Sequence, residues 1–536
     1  MLACSCGETV SASAQINAAK TQVATNVRAE IVERANVLIA LRSCSGIAAR
    51  ARNFWGSALI QRAKLLQICY GLDKLAGIIK TKGSRLHLLR RRPPPKARIL
   101  IRAVRLMLAW IMAASFETAF AVTTDSASLF ADQGNGPLTP LGISANPGAV
   151  DQTTGTGQAG ESLGFKKDSG VYLGGVWAGD TNYLISGGEQ PGAWSWNSLL
   201  IISLGLDSEK LISWKGGKFG VEFLQFDGQP TNQQAGSVQG YNSLPGPPPL
   251  NRSELYQLWW RQELFDEKLI IRIGKMVPTA DFNNVLRPVP TQDQSLFIPS
   301  VSGLLFTPVF VNPTILGVMP GYYNSACGVT TTFAPTKNFY FSYGVYDGNI
   351  ANGTQTGTRG PQFNGYYFNI WEAGAAWEIG SDHLPGSVGV GLWDQSGQLH
   401  AGDATESGAM GVYLFGSQRI WFRHPGKDNS GITSFFQFGA NNSETLPVNQ
   451  YFGSGLTAFG LVPGRSKDSA GAGMAYSWLN GNIFHRSSEL MFQAYYQAHL
   501  IAGTYLEPAI SYIPTPGASP DFGAAWATTL RVTVLF

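Results

Sequence analysis

The chain is predicted to be all-β, a transmembrane antiparallel β-barrel of about 16 strands, and three observations carry that prediction. The C-terminal residues alternate without a slip. Trp526, Thr528, Leu530, Val532, Val534 and Phe536 fall on one face, and Ala527, Thr529, Arg531, Thr533 and Leu535 on the other. Successive side chains of a strand point to opposite faces, so one side is an apolar ribbon and the other carries a charge and hydroxyls, as a wall between lipid and water requires. Composition is the second observation. Charged residues are 14% and aromatics 12% of 536 residues, glycines number 63 and the mean hydropathy is -0.02, with no apolar run long enough for a bundle of spanning helices. The third is that strand-like stretches recur evenly between turn residues, too evenly for several separate domains.

In order, these stretches lie near 170–178, 196–207, 215–227, 253–264, 267–275, 325–334, 338–347, 366–379, 386–395, 409–424, 431–441, 450–461, 469–479, 487–501, 503–512 and 523–536. An even count lets both ends of the barrel meet on the periplasmic side, with connections alternating between long and short. Phe265-Asp266, Pro335-Thr336-Lys337 and Ala502 read as tight turns, whereas 228–252, 276–324, 348–365 and 513–522 are long. Between 425 and 486 the connections are similar in length and do not reveal their side. A terminal aromatic such as Phe536 resembles the C-terminal signature of bacterial outer-membrane barrels, which implies outer-membrane lipids and the barrel assembly machinery as partners.

The formal charge of +4 combines two unlike parts. Residues 1–106 hold 19 Lys and Arg against 4 acids, and residues 107–536 hold 20 against 31. The basic run from Arg90 to Lys96 would by itself suggest nucleic acid or anionic lipid. Beside it, Arg102 and Arg105 precede the apolar stretch from Met107 to Ala114, and Ala119-Phe120-Ala121 follows. A basic start, a short apolar centre and an A-x-A site are the parts of a secretory signal peptide. We therefore expect 1–106 to be absent from the mature protein, 107–121 to be the signal peptide, 122–168 to be a periplasmic lead-in rich in Thr, Ser, Gly, Asn and Pro, and 169–536 to be the barrel. Cys4, Cys6, Cys44 and Cys69 lie upstream of the signal, leaving Cys327 alone in the exported part. That pattern suggests no internal disulfide and no metal site. No cofactor is implied, and the acidic exported part does not suggest nucleic acid.

A barrel of this width keeps an aqueous lumen, which implies a pore. On the stretch 487–501, Leu490, Phe492, Ala494, Tyr496, Ala498 and Leu500 make a lipid face, while Glu489, Met491, Gln493, Tyr495, Gln497 and His499 face water and suit a polar solute path. Gln257, Trp259, Arg261 and Glu263 are placed inward on the fourth strand, with Lys268 and Arg272 across the tight turn, Glu222 on the third strand, Glu507 on the fifteenth and Arg531 on the last. Opposite charges in a lumen can hydrogen-bond uncharged polyols, or merely satisfy one another as ion pairs. The long connection 276–324 holds Asp281, Phe282, Asn283, Asn284, Arg287, Asp293 and Phe297. Its Leu304-Leu305-Phe306 would be costly to leave in water, so the connection should fold back into the barrel. Aromatic faces beside carboxylate, amide and guanidinium groups match what a sugar offers, apolar C–H patches and hydroxyls.

Several segments resemble the carbohydrate-selective porin family OprB as an ordered set over roughly residues 165–536: Lys218–Phe223, Leu255–Gln262 with Leu269–Lys275, Asp281-Phe282-Asn283, Tyr343–Asn349, Leu506-Glu507-Pro508 and Tyr512-Ile513-Pro514. The resemblance implies an outer-membrane porin of sixteen strands passing glucose-like sugars by passive diffusion, with arginines and acids around a constriction. The alternative is a general or anion-selective porin without sugar preference. Catalysis is not expected, because His499 lies too far along its strand from Ser487 or Ser488 to hydrogen-bond either. The number of chains that associate is not specified by these patterns.

Overall fold

The computed structural model describes residues 155–536 apart from 167, 246–249, 284, 286–300, 321–323 and 349–359. Residues 1–106 and 107–121, most of the lead-in, and Arg287 and Asp293 lie outside the described residues. A short helix α1 (Gln158–Ser162) precedes sixteen strands. These are β1 (Val171–Ser186), β2 (Trp194–Asp207), β3 (Gly217–Asp227), β4 (Asn251–Leu264), β5 (Leu269–Met276), β6 (Ala326–Thr336), β7 (Phe339–Asp347) and β8 (Tyr367–Ile379). They continue as β9 (Leu384–Ala401), β10 (Ala404–Phe422), β11 (Gly431–Asn441), β12 (Val448–Phe459), β13 (Ser469–Leu479), β14 (Ser488–Ile501), β15 (Thr504–Ile513) and β16 (Ala525–Leu535). Each pairs antiparallel with its neighbours in chain order, and β16 returns to β1 to close the barrel. Closure leaves no strand edge unpaired, which a lipid-embedded sheet requires.

Every expected strand is present, and the differences lie in length. β1 continues to Ser186 rather than stopping near 178, because Asp180, Thr181 and Asn182 are turn formers in sequence but strand residues here. Asp180 and Asn182 point into the barrel and are buried. β9 and β10 run further than expected as one long hairpin, its register broken by a bulge between Ser407 and Ala409. A second bulge leaves Tyr256 without a register partner between Leu255 and Gln257. Below it Gln257, Trp259 and Arg261 are buried on the inner face, and above it so are Arg252, Glu254 and Tyr256, since one extra residue inverts the alternation.

The outer face matches the alternation of the last strand. Trp526 and Leu530 are exposed, while Ala527, Thr529, Arg531, Thr533 and Leu535 are buried inside. Aromatic pairs sit on the outside near strand ends, Tyr183 on Trp194 at 4.5 Å and Tyr512 on Trp526 at 4.3 Å between ring centroids. Such rings suit the headgroup level of a bilayer. The ring of Phe536 lies over Gly175, and its carbonyl accepts N–H groups of Thr156, Gly157 and Gly175, so the chain end is fastened to the start of the barrel.

Because the wall faces lipid, the hydrophobic core forms inside the lumen where loops fold onto it. The β5–β6 loop does this as expected, with Leu304, Leu305, Phe306, Val309 and Ile315 fully buried. The inner wall is carved to receive it. A Cβ on Gly439 would stand 2.4 Å from Asn312 Oδ1, and one on Gly473 would stand 2.7 Å from Leu304 Cδ1. The β3–β4 loop also turns inward and carries the buried Tyr241. Burial, with the Asp180 carboxylate adding to it, pushes the Tyr241 hydroxyl far above its usual value, so it remains neutral.

Candidate functional site in the lumen

One stretch of the inner wall, β3 to β5 with the first turn of the β5–β6 loop, gathers most of the expected residues. Arg261 and Arg272 are register partners on adjacent strands. Two guanidinium groups side by side repel unless each has its own carboxylate, and each does. Arg261 pairs with Glu263 at 2.8 Å, where Lys218 also donates at 2.8 Å, and Arg272 pairs with Asp281. Thr330 donates to the same Asp281 at 3.1 Å. Asp281 reaches the wall because the turn at Pro278–Ala280 redirects the chain as it leaves β5. Glu222 accepts from the Gln257 side-chain amide at 2.5 Å, and the Gln257 carbonyl receives Val277 N–H at 3.1 Å, which fixes the root of the loop.

Trp259 lies across Gly220 of the neighbouring strand, since a Cβ there would come 2.2 Å from its ring. The Arg272 guanidinium covers the ring at 5.5 Å from its centroid. One face is therefore closed by backbone and another group stacks on the ring, so Trp259 offers its indole N–H rather than an open stacking surface. Asn283 is held at positive φ, with its backbone N–H donated to Glu372 at 2.7 Å. The side-chain amide of Asn283, Trp259 Nε1, Arg261 Nε, and Arg272 Nε and Nη1 have no protein partner. Buried donors and acceptors of this kind require hydrogen bonds, and on these residues the surrounding protein does not supply them.

Four other expected residues do different work. Glu489 and Gln493 are on the inward face of β14 as expected but do not meet a solute path, because loops cover them. Glu489 accepts Val238 N–H at 2.8 Å, and Gln493 accepts Leu305 N–H at 2.5 Å. Glu507 accepts the Gln497 amide at 2.6 Å beneath Gly303 of the β5–β6 loop. Arg531 forms two 2.7 Å hydrogen bonds to Asp180 across the β16–β1 seam, and both side chains are at most 1% exposed. Lys268 is exposed in the β4–β5 turn and contributes nothing to the lumen.

Sequence reasoning missed Glu372, which receives Tyr340 OH at 2.7 Å and Tyr413 OH at 2.8 Å as well as Asn283 N–H. The signal was available: β8 alternates Phe368, Ile370, Glu372 and Ala376 on its buried face, and one acid in such a series needs partners. Asp180, Arg252 and Glu254 were missed through the extended β1 and the bulge.

A closed sixteen-stranded barrel with apolar outside, inward-folded loops and a charged, hydrogen-bonding interior defines an outer-membrane channel protein. Residues 200–536 match the model of the carbohydrate-selective porin family, OprB. The chain belongs to that family, and it resides in the bacterial outer membrane. A curated relative, Porin B of Pseudomonas aeruginosa, is 22% identical over 388 residues, covering 62% of this chain and 80% of that protein. The high-pH structure of Pseudomonas putida OprB superimposes with a TM-score of 0.60 at 18% identity, covering 72% of this chain and 99% of the other, which supports the shared barrel fold.

Proposed function

We propose that small glucose-like sugars cross this porin along the β3–β5 wall, exchanging hydroxyl hydrogen bonds with Arg261, Arg272, Trp259 and Asn283. The observation that supports this path is the group of unpartnered donors and acceptors on those four residues. Arginine presents five donors in a rigid planar fork and can hold two neighbouring hydroxyls, while Glu263 and Asp281 keep the site from becoming a deep anion trap. Binding is weak because a passive channel must release what it holds. Arg287 and Asp293 belong to the same loop and are proposed as further contacts. In planar bilayers, glucose is expected to reduce the ion current through the purified protein reversibly, and proteoliposomes should swell in glucose. A current insensitive to sugar would leave only a general pore.

The remaining partners are lipid around the apolar girdle and the barrel assembly machinery at Phe536. The mature chain is proposed to begin at or near Val122, after the small residues Ala119 and Ala121. N-terminal sequencing of protein from outer membranes decides this, and a mature chain that retains residues 1–106 would overturn it.

A further inference from the structure

Glu489 stands at the start of β14, beside the connection 480–487, on the rim that carries the long loops. Its side chain is completely buried and, among the described residues, forms no salt bridge. Four donors converge on it instead. Ser237 Oγ donates at 2.7 Å and Gln239 N–H at 3.3 Å to Oε1, and Val238 N–H at 2.8 Å and Gly517 N–H at 2.7 Å to Oε2. Ser237, Val238 and Gln239 belong to the β3–β4 loop and Gly517 to the β15–β16 loop, so one carboxylate draws two loops of distant sequence onto the wall. An ionised carboxylate has about four acceptor sites, and these donors fill them, leaving none for a passing solute.

Neighbouring contacts carry the restraint further. Ala518 N–H reaches Gly236 O at 3.0 Å, joining the two loops directly. The Gln239 side chain is held by Ala475 O at 3.2 Å and by the Ser477 hydroxyl at 2.9 Å. The β3–β4 loop then supports the β5–β6 loop. Thr307 N–H donates to Gly240 O at 3.0 Å, and Gln493 bridges Tyr241 O to the N–H groups of Leu305 and Phe306. A continuous set of hydrogen bonds therefore leads from Glu489 to the loop that narrows the lumen.

We infer that Glu489 is the positioning residue that sets the size limit of the channel, by holding the β3–β4 loop inward at Ser237–Gln239 and the β15–β16 loop inward at Gly517. The inference rests on the channel reading of the barrel, but not on the sugar contacts of the β3–β5 wall. Bonds from backbone N–H to a carboxylate are stronger than neutral ones, and a neutral amide of the same shape turns an N–H₂ toward donors it cannot satisfy.

The test uses the purified full-length barrel carrying Glu489→Gln, and separately Ser237→Ala. Ser237 is on a loop rather than in the wall, so the second variant keeps the test available if the first fails to assemble. Single-channel conductance in potassium chloride and liposome swelling in graded maltooligosaccharides are measured on each. Glu489→Gln is expected to raise conductance about twofold and to admit longer oligosaccharides than the unmodified barrel, with Ser237→Ala shifting both in the same direction by less. Unchanged conductance and an unchanged size limit in the folded variants overturn the inference. Conductance in salt reports width whether or not sugar binds, so an unmodified barrel indifferent to glucose would defeat the sugar path without deciding the role of Glu489.

Discussion

Asp180→Ala is expected to strip most of the heat-resistant folded barrel from the membrane. The substitution leaves the Arg531 guanidinium buried without the carboxylate that takes its Nε and Nη2 hydrogens, each at 2.7 Å. Asn242, which donates to the same carboxylate at 2.8 Å, loses an acceptor as well. Breaking a buried pair by deleting one partner costs about 3–5 kcal/mol, a large part of the stability of most domains. Removing both charges, as Asp180→Asn with Arg531→Gln, should cost less than the single change because neither member of the pair is left facing the other's missing charge. Gel mobility of unheated and stepwise heated samples measures the effect. A single variant that melts with the unmodified barrel would show that the seam pair contributes little.

Arg272→Ala should have the largest effect on selectivity. The side chain covers Trp259, pairs with Asp281 and has two nitrogens without a protein partner, so on the proposed path its loss removes both donors and support. Two hydrogen bonds from a charged group make a loss of about tenfold or more in sugar affinity, read as block of ion current, the expected outcome. The ion preference should move toward cations, since a fixed positive charge is gone and Asp281 is left uncompensated. Arg272→Lys restores the charge but not the planar fork, so it should recover ion preference while sugar block stays weak. Lys427→Ala, in the exposed β10–β11 turn, should change neither. Equal sugar block in all three variants would remove Arg272 from the path.

Much of this was legible in the sequence because barrel strands follow one strict rule, alternation between lipid and lumen. That rule placed Trp259, Arg261 and Arg272 on the correct face, and the cost of exposing Leu304, Leu305 and Phe306 foretold the inward loop. Alternation gives a side chain's direction but not its cover. Glu489 and Gln493 face inward as expected, yet their partners come from Ser237 and Leu305, some 250 and 190 residues away in sequence, and no local pattern reports such contacts. The bulge at Tyr256 hid Arg252 and Glu254 for a related reason, since the period of two holds only while the ladder is regular. Asp180 was lost because residues that commonly make turns also suit a strand whose inner face is wet.

The seam between β1 and β16 also bears on how long the barrel lasts. Asp180 and Arg531 are 351 positions apart, so joining them requires nearly the whole sheet to be in place first. Closing so long a stretch of chain is entropically expensive, and nothing rewards it until the neighbouring strands are already paired. A contact made that late is expected to be absent from the transition state for assembly. Weakening it therefore leaves the rate of formation almost unchanged and accelerates opening. The pair is thus expected to act as a kinetic latch: its contribution is to the lifetime of the inserted channel, and the signature of its loss is a barrel that forms on time and comes apart early.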